Sequence, residues 1–178
     1  CLSRRKCISA RAHFINNSDA SCYFNARHSF RKSTNGGLNW QLVSKTIDFG
    51  SGVTAVEVHP NNPNFILAGG NKGIFLSTNG AQTWVNTLPS SGLNVNEIYI
   101  LPNDPNVILA ATDKGLYRSA DAAQTWTQLY IHKSYDIKQK PGSTQTLYLL
   151  KNNPALIRCE FFISTDSLIA RARSTTCT

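Results

Sequence analysis

A repeat runs along the 178-residue chain, and a fixed repeat length constrains the fold more than any local pattern does. Each repeat is marked by a tryptophan, and the tryptophans lie 44 and 42 residues apart: Trp40, Trp84 and Trp126. Each tryptophan closes a similar octet, which reads STNGGLNW, STNGAQTW or SADAAQTW. Ranges 60–84 and 102–126 align without a gap and are identical at 14 of 25 positions. We therefore expect one supersecondary unit to recur along the chain.

Within one unit, the residue pattern is that of short strands. The second unit contains, in order, VTAVEV, HPNNPN, FILA, NKG and a short apolar run that leads to the octet. The third unit contains VNEIYIL, PNDPN, VILAA, TDKG and LYRS in the same order. Runs rich in Val, Ile, Phe and Tyr that are bounded by Asn, Gly and Pro predict strands joined by tight turns. No comparable stretch has the 3.6-residue apolar period of a helix. Four short strands in about 43 residues predict one blade of a β-propeller.

The fold class predicted for the whole chain is all-β. We expect about three intact four-stranded blades over 29–166, with degraded units at both ends. Range 1–28 is predicted to be a basic, cysteine-containing segment with a degraded blade, and 167–178 an irregular tail. Strands of the end units are placed near 12–15, 22–26, 29–32, 146–150 and 159–163.

The number of units predicts a partial propeller instead of a closed ring, because about four blades is the lower limit for closure. The chain would be a fragment of a longer protein or an arc that a partner completes. Open strand edges and apolar blade faces would then favour self-association. The chain begins at Cys1 without an apolar leader, so we expect no intact signal peptide and a start inside a longer or processed product.

The octets resemble the Asp box, also called the bacterial neuraminidase repeat, whose pattern is SxDxGxTW. The resemblance implies a hairpin between the third and fourth strands of a propeller blade. A fourth copy begins at STDS and then loses the pattern. The matching positions of the four copies are Ser33, Asn35, Gly37 and Trp40; Ser77, Asn79, Thr83 and Trp84; Ser119, Asp121, Thr125 and Trp126; and Ser164 and Asp166.

These octet residues are predicted to have a structural role. An Asp or Asn in a tight turn accepts hydrogen bonds from nearby backbone N–H groups, and a serine adds a second local bond. The tryptophan ring covers the apolar layer of the blade. An active site has no reason to recur every 43 residues. A calcium site would need six to eight oxygens and several carboxylates close together, so we predict no metal and no cofactor.

Catalytic candidates are few. Families with this repeat include sialidases, xyloglucanases, the sortilin receptor domain and assembly factors of the photosystem type. The chain lacks the FRIP-like motif of the sialidase arginine triad, and a glycosidase needs two acids at a defined separation. Glu57 and Glu97, on nearly equivalent strands of successive blades, are the only candidate pair, and ordinary polar positions on inner strands are the alternative. The histidines lack metal-ligand spacing, and Gly36–Gly37 and Gly69–Gly70 are interpreted as turns.

Charge and cysteines are concentrated at the chain ends. The net charge is +8, and range 1–32 carries seven basic residues against one acid. This cluster is too short to predict a nucleic-acid site, and no apolar run approaches the roughly 18 residues of a membrane span. A disulfide between the first and last units would clamp a closed ring, although unselected cysteines are the alternative. The number of cysteines is odd, so at least one cannot pair within the chain: Cys1, Cys7, Cys22, Cys159 and Cys177.

The sequence thus favours a non-catalytic propeller scaffold outside the cytoplasm that recognises a protein or glycan through its blade loops. The main alternative is a fragment of a secreted glycoside hydrolase, sialidase-like or xyloglucanase-like, with an incomplete active site. A third hypothesis is a gene fragment without a function of its own.

Overall fold

The computed structural model describes residues 22–26, 29–35, 37–43, 47–90, 92–143 and 146–151. These ranges form thirteen strands in four antiparallel sheets and contain no helix, so none that could cross a membrane. The predicted strands near 12–15 and 159–163, the fourth octet at Ser164 and Asp166, and the side chains of all five cysteines lie outside what is described.

Strand bounds follow the predicted order of runs and turns. The first sheet contains β1 (Cys22–Ala26), β2 (Ser29–Ser33) and β3 (Gln41–Leu42). The second contains β4 (Val53–His59), β5 (Asn62–Gly70), β6 (Gly73–Ser77) and β7 (Val85–Pro89). The third contains β8 (Val95–Ile100), β9 (Ile108–Thr112), β10 (Gly115–Ser119) and β11 (Thr127–Tyr130). The fourth contains β12 (Ser134–Gln139) and β13 (Leu147–Lys151).

Each sheet is an up-and-down meander, and neighbouring sheets meet along their first strands. Strand order in the two complete sheets is β4-β5-β6-β7 and β8-β9-β10-β11. Strand β4 contacts β8, and β8 contacts β12, so the first strands form an inner row with β7 and β11 at the outer edges. This is the arrangement of propeller blades, and the predicted all-β propeller repeat is confirmed.

Three apolar layers fill the spaces beside the two complete sheets. The first layer packs Ile66 and Phe75 of the second sheet against Phe49 from the segment before β4. The second lies between the second and third sheets, and the third lies between the third and fourth sheets. Because neighbours cover both faces of β5 and β9, their residues at 65–70 and 108–112 are all buried. That burial explains why both strands read as continuous apolar runs.

A β-bulge recurs at the same place in the inner row, at Thr54, Asn96 and Tyr135. The Thr54 hydroxyl donates a hydrogen bond to the Val95 carbonyl of the next sheet. The Asn96 side-chain amide donates to the Ser134 carbonyl of the sheet after that, at 2.7 Å. Val95 and Ser134 occupy equivalent positions directly before the bulge. The bulges at Thr54 and Asn96 therefore re-aim polar side chains so that they link one sheet to the next.

The pair Gly69–Gly70 does not form a turn, in contrast to the interpretation from sequence. Both residues end strand β5. A Cβ atom on Gly69 would lie 2.5 Å from Val95 Cγ1, and one on Gly70 would lie 2.6 Å from the Phe49 carbonyl oxygen. Glycine is needed here because adjoining elements approach the β5 backbone closely.

Candidate functional site

The third octet forms the hairpin between β10 and β11. Ser119 is buried, and its Oγ accepts hydrogen bonds from the N–H groups of Asp121 and Ala123, at 3.3 and 2.9 Å. The Ser119 hydroxyl donates to Asp121 Oδ1 at 2.7 Å. The same carboxylate oxygen accepts the Thr125 N–H at 2.9 Å, and Oδ2 accepts the Thr125 hydroxyl. The serine and the acid together accept the hydrogen bonds of three backbone N–H groups in the turn.

The second octet has the same geometry with an amide in place of the acid. Ser77 Oγ accepts the Ala81 N–H at 2.9 Å, and Asn79 Oδ1 accepts the Thr83 N–H at 2.9 Å. One bond is reversed between the two copies. Here Asn79 Nδ2 donates to Thr83 Oγ1 at 2.7 Å, whereas in the third octet the threonine hydroxyl is the donor. Because the threonine hydroxyl both donates and accepts, the turn accommodates either Asp or Asn.

The first octet repeats these bonds between β2 and β3. Ser33 Oγ accepts the Gly37 N–H at 2.8 Å, and Asn35 Oδ1 accepts the Asn39 N–H at 2.9 Å. The indole N–H of Trp40 donates to the Gly37 carbonyl at 3.0 Å. All three octets thus share one hydrogen-bonding pattern.

The three tryptophans occupy matching places, each directly before the outermost strand of its sheet. Trp84 packs edge-on against Phe49, with ring centroids 5.5 Å apart, in the first apolar layer. Trp126 packs against the second apolar layer, and its indole N–H donates to Thr87 Oγ1 of the preceding sheet at 3.2 Å. The octets therefore contribute to packing between sheets as well as to the hairpins.

Alanines in the octet turns have left-handed backbone conformations that favour glycine. Ala122 has φ of 56°, and the second octet has Gly80, with φ of 69°, at this position. We expect Ala122→Gly to stabilise the fold by about 0.5–1 kcal/mol, because relief of left-handed strain exceeds the entropy that glycine adds to the unfolded chain. Ala120→Gly, at an exposed position with ordinary φ, should instead destabilise by about 0.5–1 kcal/mol. Urea denaturation measures both, and equal signs would contradict the prediction.

The carboxyl of Asp121 should give the third octet a pH dependence. The hydrogen bond from the Thr125 hydroxyl, supported by the Thr125 N–H and the Ser119 hydroxyl, lowers its pKa from 3.8 to about 2. A lowered pKa contributes stability that is present above pH 3.8 and is lost as the pH falls toward 2. Asp121→Asn removes this titration, so wild type should lose stability relative to the variant below about pH 4. Urea midpoints between about pH 7 and pH 3 measure the difference. Asn79→Asp, the reciprocal change, should add the same dependence to the second octet.

The two candidate catalytic acids lie in different spaces between sheets. Glu57 is paired across the β4–β5 ladder with Leu67, which belongs to the second apolar layer. Glu97 is paired across the β8–β9 ladder with Ala111, which belongs to the third layer. Directly paired residues share a face of the sheet, so the two glutamates face different neighbours. The register also makes Tyr99, and not Glu97, the equivalent of Glu57.

Glu97 belongs to a polar cluster on the inner row. Its side chain is 6% exposed, and Oε1 lies 3.9 Å from Lys138 Nζ of the next sheet. Lys138 also pairs with Asp136 at 2.8 Å. Burial raises the pKa of the Tyr99 phenol, and the Glu57 carboxylate raises it further. The neutral phenol donates to Gln139 Oε1 at 2.9 Å. Across the described ranges, no three His, Cys, Asp or Glu side chains are grouped to hold a metal ion.

The segment that connects β11 to β12 is exposed, and the sequence did not single it out as a candidate binding position. It places Ile131, His132 and Lys133 in solvent, and Ile131 is 72% exposed. Lys133 Nζ lies 5.0 Å from the centroid of the Tyr135 ring, which is 36% exposed. The His132 ring packs edge-on against Tyr130 at 5.1 Å. The sequence signal was a departure from the repeat at this connection, YIHKSY, which has no counterpart after the second octet.

Comparison with known proteins shows a propeller fold. No protein-family model and no curated protein matches the sequence. Among solved structures, the chain is similar to an ancestral GH74 enzyme, with 22% identity and a TM-score of 0.67 over 77% of this chain and 21% of that one. It is also similar to the GH74 xyloglucanase from Xanthomonas campestris, with 13% identity and a TM-score of 0.61 over 82% of this chain and 27% of that one. A third similar structure, YCF48 bound to D1 peptide, has 16% identity and a TM-score of 0.52 over 83% of this chain and 56% of that one.

These similarities and the radial sheets define the class as a β-propeller, of which the described residues form a part. The chain spans about a quarter of the length of the two GH74 structures and about half of YCF48.

Proposed function

We propose that this chain is part of an Asp-box β-propeller that acts outside the cytoplasm as a non-catalytic binding or assembly scaffold and recognises a protein or glycan through its blade loops. The octet pattern and its three equivalent hydrogen-bonded turns support the Asp-box assignment. The resemblance to that family supports the location.

The observation that carries the proposal is the placement of the two glutamates. A glycosidase needs two carboxyl groups that flank one glycosidic bond, about 5–10 Å apart. Glu57 and Glu97 face different spaces between sheets, and Glu97 is buried beside Lys138. The strand register therefore does not place the two carboxyl groups in one common space. This geometry supports a scaffold over a hydrolase.

The polar side chains of the octets and of the bulges at Thr54 and Asn96 support the same conclusion, because their hydrogen bonds are internal. The octet serines and their Asp or Asn partners bond to their own turns. The bulge residues Thr54 and Asn96 bond to the next sheet. Groups of this kind maintain shape, and loop departures from the repeat are then the natural binding positions. YCF48, which has a similar fold, is bound to a peptide in its structure.

A hydrolysis assay on the full-length gene product separates the scaffold from the glycoside hydrolase. We expect no release of reducing sugar from xyloglucan and no release of sialic acid from a sialoside. Hydrolysis that is lost in Glu57→Gln or Glu97→Gln, with the fold retained, would overturn the scaffold proposal. Binding of a peptide or glycan to the purified chain, without turnover, would support it.

A further inference from the structure

The second octet contains an Asn–Gly pair, Asn79–Gly80, and the chain has one other, whose glycine lies outside the described residues. In such a pair the glycine nitrogen can attack the side-chain carbonyl carbon of the asparagine, because glycine has no Cβ atom to hinder the approach. The third octet has Asp121 and Ala122 at the same two positions. The repeat therefore contains both the intact amide and the acid that its loss would leave.

The reaction consumes only water and gives two products. The Gly80 nitrogen forms a bond to Asn79 Cγ, the bond from Cγ to Nδ2 breaks, and ammonia leaves with the proton that the glycine nitrogen has lost. Water then opens the cyclic imide. Addition of water at Cγ gives aspartate with the original backbone. Addition at the backbone carbonyl carbon gives isoaspartate, in which the chain runs through Cγ.

The folded turn holds both reacting groups in hydrogen bonds. The Gly80 N–H donates to the Asn64 carbonyl of the same sheet at 3.0 Å. Asn79 Oδ1 accepts the Ser77 hydroxyl at 3.0 Å and the Thr83 N–H at 2.9 Å, and Nδ2 donates to Thr83 Oγ1 at 2.7 Å. Closure of the imide ring ends the bond from Gly80 and moves the amide carbon onto the glycine nitrogen, so the turn must open before the attack can occur.

In the third octet the turn holds an aspartate with the same bonds. Asp121 Oδ1 accepts the serine hydroxyl and the Thr125 N–H, and Oδ2 accepts the Thr125 hydroxyl. The Ala122 N–H donates to the Asn106 carbonyl at 3.0 Å, which matches the bond of Gly80 in the second octet. Isoaspartate has no such counterpart, because it inserts one more atom into the backbone of the turn.

We propose that Asn79–Gly80 is a site of spontaneous deamidation that the folded second octet protects, and that the aspartate product, but not the isoaspartate product, refolds into the same turn. The reaction begins when the hairpin between β6 and β7 opens locally. It adds one negative charge and gives the second octet the acid that the third octet already has. This modification does not depend on the scaffold function.

Peptide mapping of the full chain by mass spectrometry tests this proposal, with one sample kept folded at slightly alkaline pH and one held in concentrated urea at the same pH. Chromatography separates the aspartate and isoaspartate forms of the peptide that contains residue 79. We expect deamidation at Asn79 to be at least about tenfold slower in the folded sample, because the reaction there requires local opening.

Thr83→Val removes the hydroxyl that accepts Nδ2 and keeps the backbone N–H, so it should raise the rate in the folded chain several-fold and leave the rate in urea unchanged. Thr125→Val is the matched control, because it removes the equivalent hydroxyl of the third octet and should not change the rate at Asn79. Gly80→Ala should slow deamidation in both samples, since a Cβ atom hinders the attack. The turn accepts alanine at this position, as Ala122 with φ of 56° shows.

Refolding tests the fate of the two products. Chain that has been deamidated in urea is returned to native buffer, and the folded fraction is isolated by size-exclusion chromatography. We expect the aspartate form to enter the folded fraction and the isoaspartate form to be depleted from it. Asn79→Asp, made directly, should have a urea midpoint close to that of the wild type at neutral pH.

Equal rates at Asn79 in the folded sample and in urea would overturn the protection, and an absence of deamidation in urea would overturn the site itself. Equal effects of Thr83→Val and Thr125→Val would show that the local hydrogen bond does not protect Asn79. Isoaspartate in the folded fraction, in the proportion formed in urea, would overturn the selection for aspartate. These outcomes leave the scaffold function as it stands.

Discussion

Gly115→Ala is expected to destabilise the protein by about 3 kcal/mol, a large effect for the addition of one methyl group. Gly115 begins β10 with φ of +134°, and a Cβ atom there would lie 1.8 Å from the Tyr130 carbonyl oxygen. That carbonyl belongs to β11, so the sheet must separate to admit the methyl group. The melting temperature should fall by about 6–12 °C.

The repeat and a solvent-exposed glycine supply two controls for this prediction. Gly73, the equivalent residue in the second sheet, would place its Cβ 1.9 Å from the Leu88 carbonyl oxygen, so Gly73→Ala should have a similar effect. Gly92 has φ of +69°, but a methyl group there would meet no atom within 4 Å, so Gly92→Ala should cost only the left-handed strain, about 1 kcal/mol. Urea denaturation followed by tryptophan fluorescence measures all three. A cost for Gly115→Ala no larger than that for Gly92→Ala would show that the β10–β11 contact is not rigid.

Ser119→Ala should destabilise by about 2 kcal/mol, although it removes a single oxygen atom. The serine is 1% exposed, and its hydroxyl is the acceptor for the buried Ala123 N–H. Its loss leaves that N–H without its partner and removes the donor to Asp121 Oδ1. A buried donor that has lost its acceptor incurs its full desolvation cost, which is why the effect exceeds that of an average hydrogen bond.

The same substitution in the second octet, Ser77→Ala, should have a matching cost, because Ser77 Oγ accepts the Ala81 N–H at the same 2.9 Å. Ser51→Ala serves as the control at an exposed serine and should change the free energy of unfolding by less than about 0.5 kcal/mol. Equal, small effects for all three serines would mean that the octets do not stabilise their hairpins.

Much of the fold followed from local patterns in the sequence. The alternation and turn residues placed β4, β6, β8, β9 and β10 close to their observed bounds, and the predicted strand 22–26 coincides with β1. Strand β5 begins three residues before the predicted run FILA, and no bounds for β7 and β11 were predicted from the sequence. Strand β12 was not predicted, because SYDIKQ is too polar to read as a strand before its neighbours are known. Its burial arises from β8 and β9, which cover Ser134 and Ile137 from the adjoining sheet.

The candidate site was less accessible to sequence reasoning. Glu57 and Glu97 read as equivalent positions because they lie near the same point of each unit. The bulges at Thr54 and Asn96 and the strand register instead make Tyr99 the residue equivalent to Glu57. The two acids face different apolar layers. In register the two acids are two residues apart and so lie on equivalent faces of their sheets, but equivalent faces of successive sheets line successive spaces. Only the stacking of the sheets therefore shows that the acids are apart.

Residues close along the chain were sufficient to specify the repeated four-stranded unit, its turns and the tryptophan that closes each octet, because alternation and turn chemistry act over short separations. Two other properties emerged only from the packed sheets: which glycines lie in close contact with a neighbouring strand or sheet, and which space between sheets each acid faces. They depend on how one sheet packs on the next, and residues about 40 positions apart come together only when the sheets are assembled.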